Sequence, residues 1–476
     1  MKKADIYYEA MKTRDHRFDG KFFVGVKTTG IYCRPICPAK PKRENVEFFH
    51  SRYEAESKGY RPCMRCRPES APQSPAWIGK SAVVQRAIKV LHARELLEFK
   101  EDEFAAQFGV TARHLRRLFI EEIGKTPKQL SFENRLNLAR KLIVETTLPM
   151  TEVAFAAGFS SIRRFNDAFK DRFKKIPREV RRHKVVKGAG INISLSYRPP
   201  FDFEGLMASY KNHRMGDLEW FGDGKMHRII TMNNQVGKIS IENNAKKSCL
   251  IVTLDFPDTS IIHAIISRVR AMFDLDSDPV VIANVLDAQK DIKKLLKKYP
   301  GIRLPSGWNA FELSISTILG QLVSVKRGRE LVHQLMEIAG SEIKIGDKTI
   351  KNFPTAEQII NTNLTKLKTT TARKVALVEF SKAIIEKRIS LEPTQAVDMF
   401  LKNILSLKGI GPWTANYIAL KVLRDTDIFP ASDLILARAV DLHSKEIIDA
   451  MSPWRGYVAA LFWRTYAGIL KKKEEK

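Results

Sequence analysis

Residues 407–420 read LKGIGPWTANYIAL, and the glycines and proline in this stretch predict a tight turn followed by a helix. Gly409 and Gly411 flank Ile410 and permit a turn that other residues would strain. Pro412 suits the first turn of a helix, where its missing N–H costs nothing. The free amides at such a helix start favour binding of a DNA phosphate. A glycine-proline helix start is common, so this stretch alone does not decide the function.

An isolated acid follows the turn. The stretch DIFPASDLILARAV (427–440) places Asp433 after a Pro-Ala-Ser turn and ahead of another helix. Taken alone, this position predicts a helix cap.

A turn of this kind followed by a lone acid resembles the helix-hairpin-helix DNA glycosylases. The resemblance to AlkA-type 3-methyladenine glycosylases is closer and covers residues 193–470. It includes LSYRPPFDF (195–203), GIRLPSGWNAFELSISTILGQLVSV (301–325) and SPWRGYVAALFWRTY (452–466). The resemblance implies a hydrolase of N-glycosyl bonds, of the DNA-3-methyladenine glycosylase II type.

The same resemblance implies that Asp433 is the catalytic acid. An ionised carboxylate stabilises the oxocarbenium charge of the sugar and helps to orient the attacking water. Relatives with a lyase step carry a lysine where this chain has Trp413, so we predict a monofunctional enzyme. Only Cys249 lies in this half of the chain, so an iron–sulfur cluster is not expected. The hairpin 408–411 is a candidate site for a monovalent cation.

Aromatic side chains are the candidates for the base pocket. Trp413 and Tyr417 are four residues apart on one helical face, and the resemblance brings Trp463 towards them. Electron-rich rings attract a base that N-alkylation has made cationic. These residues could instead belong to a core. The aromatic position near Ser209 and Tyr210 is ambiguous, which leaves the lesion range open.

DNA contacts in this part are also implied by the resemblance. The base must leave the duplex before it is excised, and Leu322 stands where the family has an apolar wedge, beside Gln321. A leucine on a helix is usually part of a core, so only the alignment favours the wedge. The predicted DNA-binding residues here are Gln321, Leu322, Gly409, Gly411 and Pro412.

Four of the five cysteines lie in two short stretches, IYCRPICPAKP (31–41) and GYRPCMRCRP (59–68). The two close pairs, Cys33 with Cys37 and Cys63 with Cys66, have the spacing of a tetrahedral zinc site. Spacing alone favours a structural ion in a head too small to fold without it.

The stretches VKTTGIYCRPICPAKPKRENVEFF (26–49) and AESKGYRPCMRCRP (55–68) resemble the N-terminal domain of Ada-type adaptive-response proteins. This resemblance implies that Cys33 is both a zinc ligand and a nucleophile that accepts a methyl group from a DNA methylphosphotriester. Zinc keeps the sulfur as a reactive thiolate. Methylation removes one negative charge from the site, which strengthens DNA binding. A Pro-Cys-His-Arg motif is absent, so we expect no repair of O6-methylguanine.

Two helix-turn-helix patterns lie between these parts. They are EDEFAAQFGVTARHLRRLFIEEIGKTP (101–127), with Gly109 at the turn, and MTEVAFAAGFSSIRRFNDAFKDRF (150–173), with Gly158 at the turn. An arginine-bearing second helix suits the major groove, although an ordinary solvated helical domain is the simpler alternative. Residues 80–182 resemble the AraC-type DNA-binding domain. The candidate DNA contacts are Arg113, His114, Arg116, Arg163, Arg164 and Asn166.

Two linker-like segments, 68–76 and 183–192, divide the chain. We predict a multidomain protein: a small α/β zinc domain (1–75), an all-α double helix-turn-helix domain (76–187), an α+β subdomain (190–300) and a mostly α-helical helix-hairpin-helix domain (301–470). The spacing of apolar residues from 306 to 470 is helical almost throughout.

The net charge of +28 indicates a polyanionic partner. Residues 1–187 hold 40 Lys and Arg against 22 Asp and Glu, and the rest hold 41 against 31. We expect double-stranded DNA as partner, RNA polymerase as a further candidate, no membrane, a monomer and a cytoplasmic, nucleoid-associated location in a bacterial-type cell.

The main hypothesis is an alkylation-response protein that senses damage, binds promoters and excises alkylated bases. One alternative is a non-enzymatic transcription regulator whose glycosylase part only binds DNA. Another is a repair enzyme whose AraC-like part grips DNA without regulating genes.

Overall fold

The computed structural model describes residues 3–14, 22–35, 37–50, 52–64, 66, 68, 82–93, 99–146, 148–181, 191–258, 261–287, 289–392 and 397–474. The chain forms two compact units. One comprises Met1–Ser196, Asp258–Ser267 and Asp276–Asp278, and the other Tyr197–Pro257, Arg268–Leu275 and Pro279–Lys476. The finer division into four domains stays a prediction, and most of both predicted linkers lies outside the described residues.

The N-terminal head is built around a small sheet. Its elements are α1 (Lys3–Lys12), β1 (Phe23–Val26), β2 (Ile31–Cys33), β3 (Val46–Phe49), α2 (Arg52–Ser57) and β4 (Arg61–Pro62). The strand order is β3-β1-β2-β4, with β1 antiparallel to both of its neighbours. Strand β4 runs parallel to β2 and sets Pro62 beside Tyr32. Cys63 therefore follows β4 at the level where Cys33 ends β2.

The middle of the chain is helical. Its elements are α3 (Ala82–Ala93), α4 (Glu101–Ala106), α5 (Ala112–Ile123), α6 (Pro127–Glu145), α7 (Met150–Ala156), α8 (Ile162–Phe173) and α9 (Pro177–Val180), followed by β5 (Ile191–Ser196). Gly109 and Gly158 have φ of +69° and +78°, a left-handed backbone that glycine adopts without strain. Thr111 and Ser161 cap α5 and α8. Both predicted helix-turn-helix units are confirmed.

The C-terminal part begins with a helix and an antiparallel meander. These are α10 (Phe203–Asn212), β6 (Glu219–Gly222), β7 (Lys225–Met232), β8 (Gln235–Asn244) and β9 (Cys249–Asp255). Each strand from β6 to β9 pairs with the next. Two stretches rich in apolar and β-branched residues lie here, and 193–201 overlaps the end of β5 while 248–256 contains β9.

The remaining elements are mostly helical. They are α11 (Ile262–Met272), α12 (Pro279–Leu286), α13 (Lys290–Lys298), α14 (Ala310–Leu319), α15 (Val325–Ala339), β10 (Glu342–Ile345), β11 (Lys348–Lys351), α16 (Ala356–Asn361), α17 (Thr371–Ile385), α18 (Val397–Leu405), α19 (Pro412–Lys421), α20 (Leu434–His443), α21 (Lys445–Asp449) and α22 (Arg455–Glu474). The β10–β11 hairpin is the exception in a region whose apolar spacing predicts helix almost throughout. It forms because Gly346, at φ +56°, turns the chain between two short alternating strands.

Helix α19 is held from two sides. Its Ile418 belongs to a core that includes Leu335 and Phe380, and its Leu420 belongs to a second core that includes Leu436 and Phe462. Two cores therefore fix the orientation of the helix that follows the predicted turn. None of the helices in the described segments is long and apolar enough to cross a bilayer.

Candidate active site and DNA-binding elements

The turn before α19 depends on one of its two glycines. Gly409 has φ +85°, and a Cβ added there would lie 2.7 Å from Cβ of Ala376. Gly411 has an ordinary φ of −99° and forms the N-cap of α19. The expectation that both glycines serve the turn is therefore right for Gly409 only. At Gly411 an added Cβ would meet open space, which leaves the amides at the helix start uncovered. Pro412 occupies the first turn, as predicted.

The three predicted pocket aromatics come together. The ring centroids of Trp413 and Tyr417 are 5.3 Å apart, and those of Tyr417 and Trp463 are 5.5 Å apart. All three side chains are half-buried, so part of each remains accessible, unlike a core residue. Burial raises the pKa of Tyr417, and the charge of Asp433 adds to this, so the hydroxyl stays protonated.

Asp433 joins three elements at this cluster. One carboxylate oxygen accepts from Nε1 of Trp413 at 3.0 Å, and the other accepts from Nε1 of Trp463 at 3.0 Å. The second oxygen also accepts from the backbone amides of Ile435 and Leu436, at 3.1 and 3.3 Å. The side chain caps α20, as its position in the sequence predicts, and it also contacts the aromatic side chains, whereas its catalytic role stays a prediction. It is half-buried rather than sealed in a core.

The turn between α14 and α15 presents Leu322 to solvent. Leu322 lies in this turn, not on a helix, and is fully exposed with φ +51°. Its neighbour Gln321 donates from Nε2 to the carbonyl of Gly409 at 3.2 Å and to Oγ1 of Thr414 at 2.7 Å. Arg373 donates to the Gln321 carbonyl. The exposed leucine is therefore fixed relative to the turn that precedes α19.

Two further features of this part were ambiguous or missed in the sequence. Tyr210 is buried, and its hydroxyl donates to the carbonyls of Met272 and Ser306. Lys421, on the same face of α19 as Trp413 and Tyr417, was not selected, although its spacing of four residues from Tyr417 could have indicated it. The Gly409 carbonyl is already an acceptor for Gln321, and a monovalent cation at 408–411 stays a prediction.

The four cysteines of the head form one cluster. Their Sγ atoms all lie within 4.8 Å of one another. Four sulfurs bound to one zinc ion at the usual Zn–S distance lie about 3.8 Å apart, so the donor set fits zinc. Cys33 and Cys37 are buried, at 5% and 2% exposure, whereas Cys63 and Cys66 are half-buried. The backbone amide of Arg34 donates to Sγ of Cys66 at 3.3 Å.

A buried group of charges lies beside this cluster. Tyr32, the neighbour of Cys33, donates from its hydroxyl to Glu56 at 2.5 Å. Glu56 forms ion pairs with Arg172 of α8, at 2.8 Å, and with Lys125. Lys125 also pairs with Glu133 of α6 at 2.7 Å. Burial alone would raise the pKa of Glu56, but the charges of Arg172, Lys125 and Arg52 outweigh it and lower that pKa to about 2.

The helix-turn-helix residues differ in how available they are. Arg113, Arg163, Arg164 and Asn166 are exposed on the first turns of α5 and α8. Arg116 instead pairs with Glu101 at 2.6 Å. The half-buried His114 contacts Arg117, an exposed arginine of α5 that the sequence analysis did not select. Of the residues predicted from the sequence to contact DNA, those in α8 are therefore the most accessible.

Three stretches match known protein families. Residues 6–69 match the metal binding domain of Ada, residues 104–183 match a helix-turn-helix domain, and residues 192–309 match the AlkA N-terminal domain. These matches follow the three resemblances seen in the sequence. The predicted multidomain fold class is confirmed.

Related proteins cover the whole chain. A Mycobacterium tuberculosis protein named "Probable bifunctional transcriptional activator/DNA repair enzyme AlkA" is 34% identical over 96% of this chain and 95% of its own. "DNA-3-methyladenine glycosylase 2" of Escherichia coli is 24% identical over 57% of this chain and 96% of its own. The solved 3-methyladenine DNA glycosylase of Archaeoglobus fulgidus has a TM-score of 0.50 at 16% identity, over 58% of this chain and 99% of its own, which shows a shared fold.

The cysteine cluster, the two helix-turn-helix units and the glycosylase fold define a fusion of an Ada-type head with an AlkA-type C-terminal part. The chain belongs to the family of the bifunctional AlkA protein of Mycobacterium tuberculosis.

We predict that Glu56→Gln lowers the free energy of unfolding of the first unit by about 3–5 kcal/mol, because it removes the carboxylate that pairs with buried Arg172 and leaves Lys125 with Glu133 alone. Urea unfolding followed by circular dichroism measures the change. The control is Glu103→Gln, whose ion pair with Lys100 is exposed and should change stability by less than about 0.5 kcal/mol. Equal stability of the two variants would contradict a structural role for the charge group.

Proposed function

We propose that the C-terminal part hydrolyses the N-glycosidic bond of alkylated purines of the 3-methyladenine type in DNA. The observation that carries the proposal is the Asp433 carboxylate, held by the indole N–H groups of Trp413 and Trp463 beside Tyr417. The names of relatives that match this part, such as the Escherichia coli glycosylase, support the same reaction.

The chemistry follows from these contacts. Because the two indole N–H groups donate to Asp433, the rings are fixed in orientation, and we infer that a base reaches the exposed part of their faces. A cationic alkylated base stacks on such faces. As the bond to the base breaks, positive charge develops on the sugar, and the neighbouring carboxylate stabilises it and orients water. The bond electrons leave with the base, and water adds to the anomeric carbon.

We infer that two features near this site and the charge of the chain help to hold DNA. The start of α19 presents backbone amides beside Gly411, where no side chain blocks a phosphate. Leu322 is fully exposed, and we infer that it fills the space that a flipped base leaves. The high positive charge of the chain favours the DNA backbone.

We also propose that Cys33 accepts a methyl group from a DNA methylphosphotriester. Zinc, when bound by the four cysteines, keeps the sulfur as thiolate. The Cys33 sulfur attacks the methyl carbon, a carbon–sulfur bond forms, and the carbon–oxygen bond breaks with its electron pair on the phosphate. Cys33 is buried, and the cavity beside it is lined by Met11, Val24 and Arg34. These side chains must therefore move apart before a phosphotriester can approach.

A regulatory role is the second function. Two helix-turn-helix units carry exposed arginines, and the related Mycobacterium tuberculosis protein is named as a transcriptional activator. We infer that methylation of the head and promoter binding by α5 and α8 are linked. A monomeric state and contact with RNA polymerase stay predictions.

Asp433→Asn should slow release of 3-methyladenine at least about 100-fold, because the amide cannot offer a negative charge to the sugar. The amide oxygen can still cap α20, but the amide nitrogen cannot accept a hydrogen bond from an indole N–H, so stability should also fall, by about 1.5–3 kcal/mol. Chromatography of bases released from methylated DNA, with enzyme in excess, measures the rate. Asp398→Asn, an exposed acid in the first turn of α18, is the control. Release at the normal rate would reduce Asp433 to a helix cap.

Methylated duplex DNA should add one methyl group to the protein, and peptide mass spectrometry should place it on Cys33. Cys33→Ser should take up none, while Cys249→Ser, which changes a buried cysteine of β9, should take up one. A methyl group on Cys63 or Cys66 would contradict the assignment of Cys33, and no uptake at all would leave the four cysteines as a structural zinc site.

A further inference from the structure

A buried lysine completes the aromatic row of α19. Lys421 follows Tyr417 by four residues, as Tyr417 follows Trp413, and only 6% of it is exposed. Its Nζ lies 5.1 Å from the ring centroid of Trp463 and 5.8 Å from that of Tyr417. An ammonium group therefore lies against two of the three rings that would stack on a cationic base.

The charged groups around Lys421 do not neutralise it by direct pairing. Within the described residues, Lys421 forms no ion pair with a carboxylate. Asp274, beyond the end of α11, is the nearby acid, and it is engaged by the Tyr457 hydroxyl at 2.7 Å and by Arg424 at 3.4 Å. His213, which follows α10, is exposed to solvent, and the charges of Lys421 and Arg329 lower its pKa.

Burial dominates the titration of this lysine. It lowers the pKa of Lys421 to about 7, and the charge of Asp274 opposes the shift only in part. Below that pH the ammonium form prevails, and above it the neutral amine prevails. Both forms are therefore present near neutral pH.

We propose that Lys421 is a specificity-determining residue that sets the preference of the pocket between cationic and neutral bases. The proposal rests on the glycosylase function proposed above. The ammonium form of Lys421 repels a cationic base such as 3-methyladenine, whereas the neutral amine form lets this base enter the pocket. A neutral base such as hypoxanthine departs with the electron pair of the broken bond, and the ammonium form stabilises that developing negative charge.

The test compares two substrates in one preparation of the full-length protein. Release of 3-methyladenine from methylated DNA and of hypoxanthine from a deoxyinosine duplex is measured between pH 6 and 8.5, with enzyme in excess. The rate of 3-methyladenine release divided by the rate of hypoxanthine release does not depend on the amount of folded protein or on the contribution of Asp433 that both reactions share. For the natural sequence we expect this ratio to rise about tenfold with pH, with a midpoint near 7.

Two variants bracket the expected behaviour. Lys421→Arg stays charged, so its ratio should be low and independent of pH. Lys421→Met has no charge, so its ratio should be high and independent of pH.

A ratio that does not change with pH in the natural protein, or a Lys421→Met variant that keeps the natural pH dependence, would overturn the assignment. Release of neither base would overturn the glycosylase function and the role of Lys421 with it. Release of both bases at a flat ratio would overturn the role of Lys421 alone.

Discussion

The hydrogen bonds to Asp433 are the interaction on which the C-terminal site depends. One carboxylate receives an indole N–H from α19, an indole N–H from α22 and two backbone amides from the start of α20. A hydrogen bond to a charged group contributes about 1.5–3 kcal/mol, so these contacts hold three helices in register. The same contacts determine how the rings of Trp413 and Trp463 are oriented, and they hold the negatively charged carboxylate beside these rings.

A buried charge also organises the first unit. Glu56 accepts a hydrogen bond from the hydroxyl of Tyr32, which lies on the strand that ends at Cys33. It also forms ion pairs with Arg172, on the second helix-turn-helix unit, and with Lys125, just before α6. Ions buried in this way are tolerated only when they are paired. The contact therefore connects the cysteine head to the helices that carry the arginines predicted to contact DNA. A chemical change at Cys33 would occur one residue from this tie.

Local rules made several features predictable from sequence. Gly409 and Gly158 mark turns because a left-handed backbone excludes most other residues, and Pro412 marks a helix start. The short spacing within each cysteine pair keeps its two sulfurs close, which made a metal site predictable, and the pairing of β4 with β2 brings the two pairs together.

Features that depend on distant segments were not predictable. Asp433 reads as a helix cap until α22 brings Trp463 to it, and Lys421 reads as a surface charge until two cores bury it. The sequence did not indicate that Glu56 is a buried ion-pair partner, because Lys125 and Arg172 lie 69 and 116 positions further along the chain. The exposed Leu322 was placed on a helix by its apolar character, whereas a positive φ puts it in a turn.

The central claim is that the Asp433 carboxylate stabilises a positively charged sugar. The most direct measurement compares binding of the protein to duplex DNA with a cationic pyrrolidine ring in place of one deoxyribose and to DNA with a neutral tetrahydrofuran ring there. A site complementary to the transition state binds its charged analogue at least about 100-fold more tightly. The account predicts this preference in the natural protein and its loss in Asp433→Asn. Equal affinities, or a preference that survives in Asp433→Asn, would contradict it.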